Sequence, residues 1–133
     1  LPAADADPPE PFDLFVAADP ALFEGKYFLV FAAQDKSSGI SYYAVDESRR
    51  SIPSSSLSDW SRVQSPYVLQ DQALKSHIFV KAVDRAGNER IAMLLPRNPL
   101  AWYENYSLWS MLIISVIFIL AIIKIPWKKH VLF

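Results

Sequence analysis

The chain has 133 residues, 52% of them hydrophobic and 20% charged, with a formal net charge of -1. It is too apolar for a disordered chain and lacks the basic field that nucleic-acid binding needs. With no cysteine and two histidines, a disulfide framework, thiolate-bound metal and a cysteine nucleophile are excluded.

Leu1 to Pro11 is rich in Pro, Ala and Asp and reads as a linker or arm. The chain begins at Leu1 and shows no signal peptide. An exported domain is then expected to be a processed protein or the C-terminal piece of a longer one. Short runs at strand spacing follow. Phe12–Ala17 is the first, and Asp19-Pro20 marks a turn. Tyr27–Ala33 (YFLVFAA) reads as a central strand buried on both faces. Asp35–Gly39 is a turn cluster, and Ile40–Val45 is the next strand. Glu47 to Pro66 is serine-rich and irregular, so it reads as a surface loop. Trp60 inside it reads as a packing anchor rather than a ligand platform. Tyr67–Leu69 is a short strand. His77–Val83 alternates well, the Asp84–Asn88 turn follows, and Glu89–Leu95 returns as its partner. Asp84, Gly87 and Asn88 are the residues on which this hairpin turn rests. Such a series of short strands and turns predicts an all-β antiparallel sandwich over residues 12–96.

Residues 97–105 read as a juxtamembrane linker. From Leu108 to Ile123 the only polar residues are Ser110 and Ser115. A helix over Tyr106 to Ile125 is about 20 residues long and spans about 30 Å, the thickness of a bilayer's hydrocarbon core. Trp102, Tyr103, Tyr106 and Trp109 flank one end and Trp127 the other, as aromatic interface anchors do. Ile113, Phe118 and Ile123 mark the lipid-facing length of the helix. All 14 acidic residues precede Ser107, whereas three basic residues follow it. They are Lys124, Lys128 and Lys129. The first 106 residues thus carry -4 and the remainder +3. Positive flanks stay cytoplasmic. The expected protein crosses the cell membrane once, with the N-terminal domain outside and a basic cytoplasmic tail at 126–133.

Two segments carry a family resemblance. Asp35–Val45 (DKSSGISYYAV) resembles a segment of bacterial immunoglobulin-like and fibronectin type III-like surface domains. His77–Arg90 (HIFVKAVDRAGNER) resembles their last hairpin, with Val80, Ala82, Asp84, Ala86, Gly87 and Asn88 on the V-x-A-x-D-x-A-G-N pattern. The resemblance covers about residues 12 to 95 and implies an Ig-like sandwich. The layout also resembles the C-terminal end of membrane-anchored surface proteins, some of which carry cohesin-type domains upstream. It implies scaffolding or adhesion rather than catalysis.

The residue chemistry agrees with that expectation. His77 and His130 are placed on opposite sides of the membrane, so no Ser/His/Asp site forms. No phosphate-binding glycine loop is present. Asp35, Asp46, Glu47, Asp84 and Glu89 are candidate calcium ligands, but no D-x-D-x-D-G spacing occurs and single turn aspartates usually cap backbone. No metal, no cofactor and no enzyme activity are expected. The expected partners are the lipid bilayer and a protein partner or upstream domains of the same polypeptide, with no nucleic acid. Three functions fit: a membrane-anchored extracytoplasmic scaffolding or adhesion module, a single-pass accessory subunit of a larger membrane complex, or a carbohydrate- or ligand-binding adhesion module.

Overall fold

The structure, a computed structural model, describes residues 3–124. They form two compact units that divide between Pro99 and Leu100.

The first unit is built from seven strands: β1 (Leu14–Ala17), β2 (Phe28–Phe31), β3 (Ile40–Ser48), β4 (Ser61–Val63), β5 (Tyr67–Val68), β6 (His77–Asp84) and β7 (Glu89–Leu94). They make two antiparallel sheets, in the orders β1-β2-β5 and β4-β3-β6-β7. Side chains alternate across a strand, so the register decides which residues meet. Leu14 pairs with Phe31, and Val16 with Leu29. On the other sheet Val45 pairs with Val80, and Ile78 with Leu94. Leu14, Leu29, Phe31, Val45, Ile78 and Val80 then share one core with Leu69 and Leu74. Leu29 and Val80 have no exposed surface, and full burial of such a side chain contributes about 1.5–3 kcal/mol.

Aromatic and polar contacts join the sheets. The Phe31 and Tyr43 rings meet edge to face at 4.9 Å, a preferred arrangement for aromatic pairs. Glu47 of β3 accepts hydrogen bonds from the Tyr67 hydroxyl at 2.9 Å and from the backbone N–H groups of Gln70 and Asp71 at 2.8 and 2.9 Å. Burial and the neighbouring Glu47 carboxylate push the Tyr67 hydroxyl well above the ordinary tyrosine range.

The structure departs from the pattern expected of the sequence at several places. β3 runs on through Asp46, Glu47 and Ser48, and a short strand, β4, lies inside the serine-rich segment. The reason is that both carboxylates of the strand end find partners. Asp46 accepts the Ser54 N–H at 3.0 Å on the face opposite Glu47. That bond draws the segment after β3 back over the four-stranded sheet. Trp60 donates its indole N–H to the Ser54 carbonyl, and the Lys81 ammonium of β6 stands 4.3 Å from its ring. β6 is consequently buried on both faces, with Phe79 and Val83 as well covered as Ile78 and Val80. β2 is the middle strand of its sheet, yet Val30 on it is exposed.

The Pro/Asp-rich arm lies against the domain. Pro9 is fully buried. Glu10 N–H donates to the Gln34 carbonyl, and the Arg90 side chain donates to the Pro9 carbonyl, both at 2.8 Å.

The second unit contains a 3₁₀ turn at Trp102–Glu104 and one helix, α1 (Tyr106–Lys124). α1 has 19 residues, apolar but for Tyr106, Ser107, Ser110, Ser115 and the terminal Lys124, and none of them is buried. A helix that is apolar around its whole circumference is of the kind found in a protein core or in a membrane. Its length of about 28 Å matches a bilayer core.

Candidate functional site

Three places on the chain gather chemistry. The first is the end of the domain that holds the β6–β7 turn. Gly87 takes φ +92°, in the left-handed region that favours glycine. Asp84 is only 2% exposed. Its carboxylate accepts the Asn88 backbone N–H and the Asn88 side-chain amide, both at 2.8 Å. Asp35 and Asp5 meet it there, with one carboxylate oxygen of each of the three residues within 4.8 Å of the others. Asp35 accepts the N–H groups of Ser37, Ser38 and Gly39, and the Gly39 bond chiefly holds its carboxyl below the ordinary range. Ser38 Oγ bonds Asp5 at 2.7 Å, and the Asn88 amide donates to the Asp5 carbonyl.

A hard divalent cation takes carboxylate oxygens of this kind. Here each carboxylate already meets donors from a loop, a turn or the arm, so the cluster clasps three segments together. Of the five residues the sequence marks as oxygen ligands, Asp35 and Asp84 come together. Asp46 holds the covering segment, Glu47 joins the sheets, and Glu89 pairs with Lys81 at 3.5 Å. Asp5, which completes the cluster, carries no signal in the sequence, because its partners lie 33 and 83 residues away.

The second place is the outer face of the three-stranded sheet. Phe15 pairs with Val30, and Ala17 with Phe28, which pairs in turn with Val68. These positions alternate with the core residues, so they share the outward face. None of them is polar. Phe15 is 63% and Val30 40% exposed. Phe23 packs edge to face on Phe28 at 5.1 Å and, with Leu22, adds exposed apolar surface. An antiparallel sheet with one face in water normally carries polar residues on that face.

Between the edge strands β1 and β7 a cavity of about 340 Å³ opens, with Leu14, Val16, Leu74, Ile78 and Leu94 among its walls and Glu47, Asp71 and Arg97 beside them. Burial acts to raise the Asp71 carboxyl, but hydrogen bonds from Ser76, Lys75 and Ala73 outweigh it and leave it lowered.

The third place is the second unit. Tyr106, Trp109, Ile113, Phe118 and Ile123 are all exposed on α1. Trp127, Lys128 and Lys129, the expected anchor beyond the helix, lie outside the described residues, as do Ile125 and His130.

No family model, curated protein or solved structure gives a significant match to this chain. The reading of these three places therefore rests on their geometry. The carboxylates of the first place accept hydrogen bonds from the segments that they join. The outer sheet face is apolar and partly exposed, and α1 is long and apolar enough to cross a membrane.

Proposed function

We propose that the chain is a membrane-anchored extracytoplasmic module that docks a protein partner in a scaffolding or adhesive assembly, without catalysis. One observation carries the docking claim: the outer face of the β1-β2-β5 sheet presents Phe15, Val30, Phe23 and Leu22 to water. Contiguous exposed apolar surface of this kind marks interaction sites. α1 supports the anchor, being long and apolar enough to cross a membrane once. The +3 charge after residue 106 supports the orientation with the domain outside.

The strand order supports an Ig-like domain. The constant-type sandwich keeps its fourth strand with the first two, whereas variable-type domains add strands to the opposite sheet. Here β4 pairs with β3, in the sheet of β6 and β7.

The other two readings have less support. A subunit docked through its helix would pack small residues against another helix or hydrogen-bond to it through polar groups, and α1 has no small-xxx-small pattern. The Ser110 and Ser115 hydroxyls instead donate to the Ser107 and Met111 carbonyls, both at 2.8 Å, within α1. A sugar platform would use a free aromatic face, and Trp60 has Lys81 over its ring.

The test compares the full chain, extracted in mild detergent from its native membrane, with Phe15→Asp combined with Val30→Lys. Wild type migrates in an assembly larger than a 15.1 kDa chain in its micelle. The double variant, with an unchanged melting temperature, leaves that assembly. An unchanged assembly size contradicts docking through this face.

A further inference from the structure

The residues just before α1 are ordered by hydrogen bonds of their own. Glu104 N–H donates to the Ala101 carbonyl at 2.9 Å, and the Glu104 carboxylate accepts the Ala101 N–H at 3.3 Å. Asn105 accepts the Ser107 hydroxyl at 2.6 Å. These bonds fix three rings relative to one another. Trp102 stacks on Trp109 with centroids 6.4 Å apart, and Tyr103 meets Trp102 edge-on at 5.9 Å.

The donors of the rings differ. Trp109 gives its only polar hydrogen to the Tyr103 carbonyl at 2.8 Å. Its indole can therefore enter an apolar medium with no polar group left unpaired. The Trp102 indole N–H and the Tyr103 and Tyr106 hydroxyls make no hydrogen bond among the described residues. Trp102 is 76% exposed and Tyr106 84%. From Asn98 to Ile123 the chain has no basic residue.

We infer that residues 101–109 form a rigid collar that binds the headgroup zone of the bilayer through neutral donors. The free indole N–H and phenol hydroxyls bond lipid phosphate and ester oxygens, while Trp109 sits deeper among the acyl chains. Amphipathic aromatic rings favour this zone because one end can be dry and the other wet. With no cation in the collar, recognition does not depend on anionic lipid, unlike that of a polybasic segment. The collar thereby sets the depth of α1. This inference rests on the membrane-anchored reading proposed above.

The experiment places the full chain in phosphatidylcholine vesicles whose acyl chains carry bromine at graded depths. Two variants keep Trp102 or Trp109 as the sole tryptophan, the others being phenylalanine. The expected result is blue-shifted emission from both, with Trp109 quenched at greater depth than Trp102 and little quenching of either by aqueous acrylamide. Adding phosphatidylglycerol or salt leaves both unchanged. In the variant that keeps Trp109 alone, Tyr103→Ala with Tyr106→Ala removes the remaining collar donors and shifts the depth of Trp109. If Trp102 stays open to acrylamide while Trp109 is quenched by bromine, the collar is wrong and the spanning helix stands. If Trp102 enters only anionic vesicles, or Trp109 keeps its depth in the alanine variant, the neutral depth-setting collar is wrong. If neither tryptophan meets bromine, the anchored reading itself falls.

Discussion

Single residues decide the turn and the sheet-to-sheet contacts. At Gly87 nothing lies within 4 Å of an added Cβ, so the cost of a side chain is backbone strain at φ +92° rather than a clash. Gly87→Val is expected to destabilise the domain by about 1 kcal/mol or more, read as a lower melting temperature. Asp84→Ala removes two hydrogen bonds at a buried site and leaves the Asn88 donors unmet. That costs about 1–3 kcal/mol, measured by urea unfolding. Tyr67 and the lowered carboxyls give the pH dependence. Tyr67 ionises at higher pH in the folded than in the unfolded chain, so the folded state holds the extra proton. Its contribution is full below about pH 10, the unfolded value, and is lost as pH rises toward the folded value. Asp35 and Asp71 act with the opposite sign, and their contribution disappears as pH falls through and below about 4, the unfolded value. Tyr67→Phe should therefore flatten the alkaline limb of the stability curve and leave the acid limb unchanged. A variant with the same alkaline limb as wild type contradicts this assignment.

Among the elements, those with local signals were legible in the sequence. β6 and β7 could be read from their alternation and from the Asp84–Asn88 turn, because a hairpin's register is set by a few adjacent residues. α1 could be read from composition alone. β4 could not, because Ser61, Arg62 and Val63 have neither length nor alternation, and their strand exists through pairing with Tyr43, Ala44 and Val45. The polar end of β3 was equally hidden, since Asp46 and Glu47 look like the exit of a strand until their distant donors are known. The arm reads as a linker by composition, yet Pro9 is buried and its carbonyl is bonded by Arg90. Removing residues 1–9 is expected to cost about 1–2 kcal/mol. That lowers the melting temperature by roughly 5–15 °C in a domain of this size. An unchanged melting temperature would mean that the arm adds no stability. The apolar outer face of β1, β2 and β5 was legible only in part: Tyr27–Ala33 reads as doubly buried, and on the outer face of β2 Phe28 is buried whereas Val30 is exposed.

At the scale of the whole molecule, charge, hydropathy and compactness all divide the chain within a few residues of one another, between Pro99 and Ser107. The acidic first part folds around its own core, whereas α1 buries none of its described residues. The proposal that the domain lies outside and the basic residues inside rests on this division. The chain has no cysteine, so a single introduced thiol reports one position cleanly. Ser51→Cys, at an exposed loop position, and Leu132→Cys are made separately in the full chain. Intact cells are treated with a membrane-impermeant maleimide, then opened and treated again. The account predicts that Ser51→Cys is labelled in intact cells and Leu132→Cys only after the membrane is opened. The reverse pattern, or labelling of both in intact cells, contradicts it.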